Sequence, residues 1–182
     1  MALGATVFKI ELQVSDMDRS HFQTYALVVA RHPSETDERL MVRVLAFALN
    51  ASETLAFGKG LSAENEADLV DRDLTGRIRC WIDVGLPSER DVRKACGRAD
   101  AVKVYAYGGR SVAVWWKQNQ EALARCKNAT LIEIPQDASR EMTALAHRAM
   151  RLQCTIQDGT IWFADDKTSV EIQPVLLSRR AD

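Results

Sequence analysis

"RIRCWIDVGLPSERDVRKA", residues 77–95, decides how this chain is read. It reads as a strand that ends in an acid, Asp83, turns at Pro87, and runs into a basic helix opened by Pro87 and Ser88. Strands of this kind often carry a metal-binding carboxylate with a lysine two residues on. Here that position is Gly85.

The strand has a partner just before it. "EADLVDRDLTGRIRCWIDVG", residues 66–85, reads as a hairpin turning near Thr75-Gly76. A two-residue turn sets Val70 against Trp81 and Asp68 against Asp83. A four-residue turn, "DLTG", sets Glu66 against Asp83, with Asp68 on the diagonal. Either register puts Asp68 and Asp83 on one face, because side chains alternate along a strand. Two adjacent carboxylates repel unless a cation lies between them or one keeps its proton. A hard cation such as magnesium favours such an oxygen pair. Solvation at a sheet end is the plainer account of the same spacing.

Further upstream, "RHPSETDERLMVRVLAFALN", residues 31–50, reads as a helix. Pro33 suits its first turn, and Glu35, Asp37 and Glu38 complement its positive end. Leu40, Met41, Val44, Leu45 and Ala48 form an apolar stripe, and Asn50 closes it. Glu38 lies at the edge of that stripe, where an acid can reach the end of a sheet packed beneath. Glu35, one turn earlier, is the alternative helix acid. On the helix after Asp83, Arg93 and Lys94 are the nearest bases. A lysine there would orient an attacking water or stabilise charge on a phosphate.

The rest of the chain supplies a mixed α/β frame. Residues 5–14 and 22–30 read as an opening hairpin around "SDMDRS". "TLAFGKGLS" is a short strand, "AVKVYAYGG" and "TLIEIP" are longer ones, and "SVAVWWKQNQEALARCKNA" is a helix. "DASREMTALAHRAM" reads as a helix with an Asp or Ser cap. "LQCTIQDGTIWFADD" is a hairpin around Asp158-Gly159, and "SVEIQPVLL" is one further strand. Residues 33–107 therefore run helix, three strands, helix, strand, with strands added at both ends of the chain.

Bulk properties exclude little but narrow the field. The 182 residues fit one domain, 1–182, able to bury a core. The 24 basic and 25 acidic residues leave a net charge of −1, so overall charge gives no argument for nucleic-acid binding. No apolar run approaches the roughly 18 residues of a membrane helix. The start, "MALGATVFKIELQV", reads as a strand rather than a signal peptide. Cys80, Cys96, Cys126 and Cys154 form no CxxC pair, and His21, His32 and His147 are scattered. These features point to a reduced, cytoplasmic protein without a Cys/His metal site.

Several long blocks resemble the YaeQ family of bacterial proteins. They are "MALGATVFKIELQVSDMDRSHF", "VVARHPSETDERLMVRVLAFAL", "GLSAENEADL", "WIDVGLPSERDVRKAC", "VYAYGG", "VWWKQNQ" and "LQCTIQDGTIWFADD", spread almost end to end. The resemblance implies a variant of the PD-(D/E)XK, restriction-endonuclease-like fold, whose αβββαβ core agrees with the order read from residues 33–107. It implies a helix acid at Glu38 or Glu35, a second-strand acid at Asp68 and a third-strand acid at Asp83. Ala67 stands where that fold's proline would be. Gly85 departs from the pattern, and Lys94 on the following helix is the substitute for its lysine.

Two functional classes follow. One is a magnesium-dependent (or manganese-dependent) nuclease or phosphodiesterase acting on nucleic acid. Asp68, Asp83 and Glu38 would hold the metal, and Lys94 would assist. Arg39, Arg43, Lys59 and Arg93 would contact the backbone, and Trp81, Tyr105 and Tyr107 would stack on bases. The other is a catalytically inactive module that binds nucleic acid or a protein through the same cleft, with Trp115 and Trp116 available for an interface. A hydrolase or transferase of smaller phosphate compounds has no motif: there is no P-loop, nucleophile elbow or glycine-rich dinucleotide fingerprint.

Overall fold

The computed structural model of the protein describes residues 4–59 and 65–179. The opening hairpin is β1 (Thr6–Asp16) and β2 (His21–Arg31), antiparallel along their whole length. Then come α1 (Asp37–Asn50), β3 (Leu55–Phe57), β4 (Leu69–Arg72), β5 (Ile78–Val84), α2 (Glu89–Cys96) and β6 (Ala99–Tyr107). They are followed by α3 (Arg110–Leu123), β7 (Ala129–Ile134), α4 (Gln136–Glu141) and a 3-10 turn (Met142–Leu145). The chain closes with β8 (Ala149–Gln157), β9 (Thr160–Ala164), β10 (Ser169–Ile172) and β11 (Val175–Ser178).

The strands form two mixed sheets, β10-β9-β8-β1-β2 and β11-β7-β6-β5-β4-β3. Terminal hairpins meet in the first sheet, where β1 runs parallel to β8. In the second, β3, β4 and β5 are antiparallel neighbours, and β5 continues parallel to β6. The predicted "TLAFGKGLS" strand ends at Phe57, and its Gly60–Ser62 portion lies outside the described residues.

α1 is packed between the sheets. Its buried run is continuous from Leu40 to Ala48, wider than the single stripe expected from spacing. One core joins the inner face of the first sheet, α1, and the side of the second sheet bearing Leu69, Ile82, Val84 and Tyr105. A second core joins the opposite face, through Trp81, Val102 and Val104, to α2 and α3. An apolar surface all round a helix is what burial on both sides requires.

Three expectations about element ends are corrected. Pro33 is not in the first turn of α1. Thr36 is the cap, its hydroxyl accepting from Arg39 N at 3.1 Å, so Glu35 lies ahead of the helix and is free to turn inward. The helix predicted through residue 150 ends by Leu145, because Met150, Leu152, Cys154 and Ile156 alternate into the core as β8. "SVEIQPVLL" makes two strands in different sheets, divided at Pro174. Among the described residues, no helix is long and apolar enough to cross a membrane.

Candidate functional site

The cleft lies at the carboxyl end of β5, where the chain leaves the sheet for α2. Crevices beyond strand carboxyl ends are the usual ligand sites of parallel α/β sheets. Close to this end the β4–β5 register pairs Leu69 with Ile82 and Val70 with Trp81. That is the pairing the short-turn alternative gave, and it sets Asp68 opposite Asp83 by continuation. A bulge between Asp71 and Arg72 absorbs the longer turn. Asp68 and Asp83 therefore share the α2 side of the sheet. With Arg39, Arg90, Lys94, Arg98 and Tyr107 they line a cleft of about 850 Å³.

A chain of charges runs from the core into this cleft. Arg43 is fully buried, and its Nε and Nη2 each donate to one oxygen of Glu35 at 2.7 Å. Nη2 also donates to Ala30 O at 2.9 Å, and the guanidinium lies 5.9 Å from the Phe57 ring centre. Glu35 Oε1 accepts from Arg39 Nη1 at 3.0 Å. Arg39 Nη2 reaches over the sheet end to Asp68 Oδ1 at 2.7 Å. Asp68 Oδ2 accepts from Val84 N at 2.8 Å. Two arginines and two carboxylates in series carry no net charge, which is how four ionised groups can share a largely dry site.

Asp83 is the fifth member and, among the described residues, has no counter-ion of its own. Burial, and then the charge of Asp68, push its carboxyl up to about 7. The Asp68 backbone N–H and the Arg39 charge pull the other way. The buried Trp81 Nε1 has no partner with hydrogen-bond geometry, yet its closeness to this carboxyl also lowers the pKa. Asp83 is thus poised to keep its proton well above the usual carboxylate range, as the second acid of a close pair does.

The missing lysine has a backbone cause. Gly85 has a φ of +106°, and its N–H donates to Tyr105 O at 2.9 Å. A side chain there would be strained whatever the space around it. Lys94 does line the same cleft, but its Nζ donates to Asn65 Oδ1 at 3.0 Å. The nearest cation to the acids is Arg39.

The other candidates divide by burial. Glu38 accepts from Ser139 of α4 at 2.7 Å and does not line the cleft. Glu35 is closed off by its two arginines. Arg43 and Tyr105, expected to touch nucleic acid, are in the core. Tyr105 is 3% exposed and accepts from Asn50 Nδ2 at 2.8 Å, so neither presents a surface to a strand. Trp81 is also buried, and Trp115 is held by Pro87 O at 2.8 Å. Lys59 pairs with Glu66, and Arg93 with Glu89, at 3.6 and 3.0 Å. Sequence reasoning missed Arg90 and Arg98. With Lys94 they recur every four residues, Arg90 and Lys94 on α2 and Arg98 in the turn just past its end, a spacing visible in "RDVRKACGR". Asn65 was also missed: its backbone and side-chain oxygens accept from Arg98 and Lys94.

A single glycine fixes how Asp68 is presented. Gly58 N donates to Asp68 O at 2.8 Å, and a Cβ on Gly58 would lie 1.9 Å from Ala67 O. Gly58→Ala is expected to cost about 2 kcal/mol, because the colliding atom is backbone and cannot step aside cheaply. An unchanged urea midpoint would show that the strand yields without cost.

Fold and site together define a mixed α/β protein with two sheets, whose second sheet ends in an acid pair facing a basic helix. Nearly all of the chain fits a known family: the YaeQ protein family model matches residues 1–174, and the chain belongs to that family. It is 43% identical to the uncharacterized protein YaeQ of Salmonella typhi over 173 residues, 95% of this chain and 96% of that one. With the Escherichia coli K12 protein of the same name it shares 42% over 172 residues, 94% and 95% of the two chains. The crystal structure of YaeQ from Xanthomonas axonopodis pv. citri is similar throughout. Its TM-score is 0.93 at 47% identity, covering 98% of this chain and 99% of that one. YaeQ from Pseudomonas syringae gives 0.92 at 34% identity, with 97% of each chain covered.

Proposed function

We propose that the cleft binds the phosphodiester backbone of a nucleic acid and, with magnesium or manganese, hydrolyses it. The observation that carries this reading is the Asp68–Asp83 pair facing Arg90, Lys94 and Arg98 across one cleft. The order helix, three strands, helix, strand from Asp37 to Tyr107 supports a PD-(D/E)XK-like core.

The donor set suits a small hard cation. Among the described residues, no three His, Cys, Asp or Glu side chains cluster to hold a metal. Magnesium does not need them, since it commonly keeps several waters and takes one or two carboxylates plus substrate phosphate. Asp68 and Asp83 are the residues that would hold it, with Glu38 turned away to Ser139. When bound, the metal supplies a polarised phosphate and an acidified water. The chain's own groups do the rest. Arg90, Lys94 and Arg98 hold phosphates, and Asn65 fixes the last two in place. Without a cation, burial and the charge of Asp68 hold the Asp83 carboxyl up at about 7, and a cation held by the pair would relieve that repulsion. Tyr107 offers its ring at the cleft wall.

A second reading, binding without chemistry, draws on one observation: Arg39 already neutralises Asp68. Labelled single- and double-stranded DNA and RNA, with and without magnesium or manganese, separate the two. Cleavage is expected, and is lost in Asp83→Ala and Asp68→Ala. Lys94→Ala is expected to weaken binding severalfold and to reduce the salt dependence by about one phosphate contact. Metal-independent binding without cleavage, unchanged by either Asp substitution, would leave the binding module standing.

A further inference from the structure

We infer that Arg39 is an exchangeable cation, which holds the Asp68 oxygen a divalent metal needs and turns to the substrate phosphate when the metal takes it. This rests on the reading of the cleft given above.

The two oxygens of Asp68 are held differently. Oδ2 accepts from Val84 N, a backbone group fixed at the end of β5. Oδ1 accepts from Arg39 Nη2, the tip of a flexible side chain. Oδ1 is therefore the oxygen that can be given up without disturbing the strand. It is the Asp68 oxygen left available for a cation that Asp68 and Asp83 would hold.

The surrounding contacts make release local. Arg39 keeps Glu35 through Nη1 at 3.0 Å when Nη2 lets go of Asp68 Oδ1 and of Val84 O, a longer contact at 3.4 Å. Glu35 keeps both its bonds to Arg43. No buried charge is left unpartnered, which is the usual penalty for breaking such a network. The Arg39 backbone stays put, since its N–H donates to the Thr36 cap. Its side chain is 13% exposed and already lines the cleft, so a short swing brings Nη2 to an incoming phosphate oxygen. Metal entry and phosphate capture are then one exchange: Asp68 trades one cation for another, and the released cation meets the anion.

Manganese titration by calorimetry, with no nucleic acid present, tests the exchange on the folded protein. Removing the competing guanidinium in Arg39→Gln or Arg39→Ala is expected to tighten manganese binding about tenfold or more. Asp83→Asn, added to Arg39→Gln, is expected to abolish that gain. Lys94→Gln removes equal charge from the same cleft without touching Asp68, and is expected to change affinity less than about threefold. Should the alanine variant not fold, the glutamine variant, which keeps the side-chain volume, carries the measurement. If native binding is lost in Asp83→Asn but Arg39 variants bind no tighter than native, the exchange is wrong and the metal site stands. An equal gain in Lys94→Gln likewise reduces the effect to general charge and overturns the exchange. No manganese binding in native or Arg39 variants overturns both the exchange and the metal reading.

Discussion

Glu35→Ala is expected to be among the most damaging single substitutions in this protein, costing about 3–5 kcal/mol. Glu35 is buried, and both its oxygens are committed to Arg43, itself fully buried. Arg43 Nη1 already lacks a partner. Removing the carboxylate would leave a guanidinium in the core with only Ala30 O and the Phe57 ring to answer it. Arg39 would lose its anchor as well. For a chain of this size the loss corresponds to a fall in Tm of roughly 10 °C or more. Replacing the pair together, as Glu35→Leu with Arg43→Met, is expected to recover most of it, because apolar packing substitutes well for a buried ion pair. Urea unfolding of the three proteins measures this. A single substitution costing under about 1 kcal/mol would mean that water reaches Arg43.

The same pair marks the limit of what could be read in advance. Arg43 interrupts an apolar run, and spacing alone cannot distinguish a solvated arginine from one neutralised by a distant acid. Its burial depends on the first sheet closing over α1, a contact between opposite ends of the chain. Tyr105 was misplaced for the related reason that both faces of β6 are covered. Local signals served well where the physics is local. The Asp158-Gly159 turn, with φ of +51° and +75°, closes β8 and β9 as expected. The facing of Asp68 and Asp83 follows from strand alternation whichever turn forms. Register itself needed the Arg72 bulge, which no residue announces. Position on the helix after Asp83 points to Lys94, whereas nothing local links Arg39, expected to contact a nucleic-acid backbone, to Asp68, 29 residues away. The helix expected over residues 137–150 is helical as far as Leu145, and its far end shows the opposite failure. Ala149 and Met150, good helix formers, instead begin β8 and pair with β1, because a central strand buries more than an extra helical turn.

Asp83→Asn is expected to stabilise the protein above neutral pH and to leave it nearly unchanged in acid. In the unfolded chain this carboxyl ionises near 3.8, whereas in the folded protein burial and Asp68 raise it to about 7. Between those values the unfolded state gives up a proton that the folded state keeps. Stability from this group is therefore fully present below about pH 4 and is lost as pH rises to about 7 and beyond. A gap of about three units sets an upper bound near 4 kcal/mol, and water at the cleft mouth reduces it to about 3 kcal/mol. Asparagine keeps an oxygen for the Asp68 N–H and carries no charge, so it escapes the loss. Urea unfolding at pH 4.5 and pH 8.5 should show the variant's advantage growing by about 2 kcal/mol between the two, part of the loss having already occurred at pH 4.5. An advantage equal at both pH values would place Asp83 in water and remove its poise. Packing gives no reason for a group that weakens the fold where it is ionised. Such a cost is characteristic of residues held in place for chemistry, and it is why the acid pair, rather than any of the paired surface charges, is where activity should be sought.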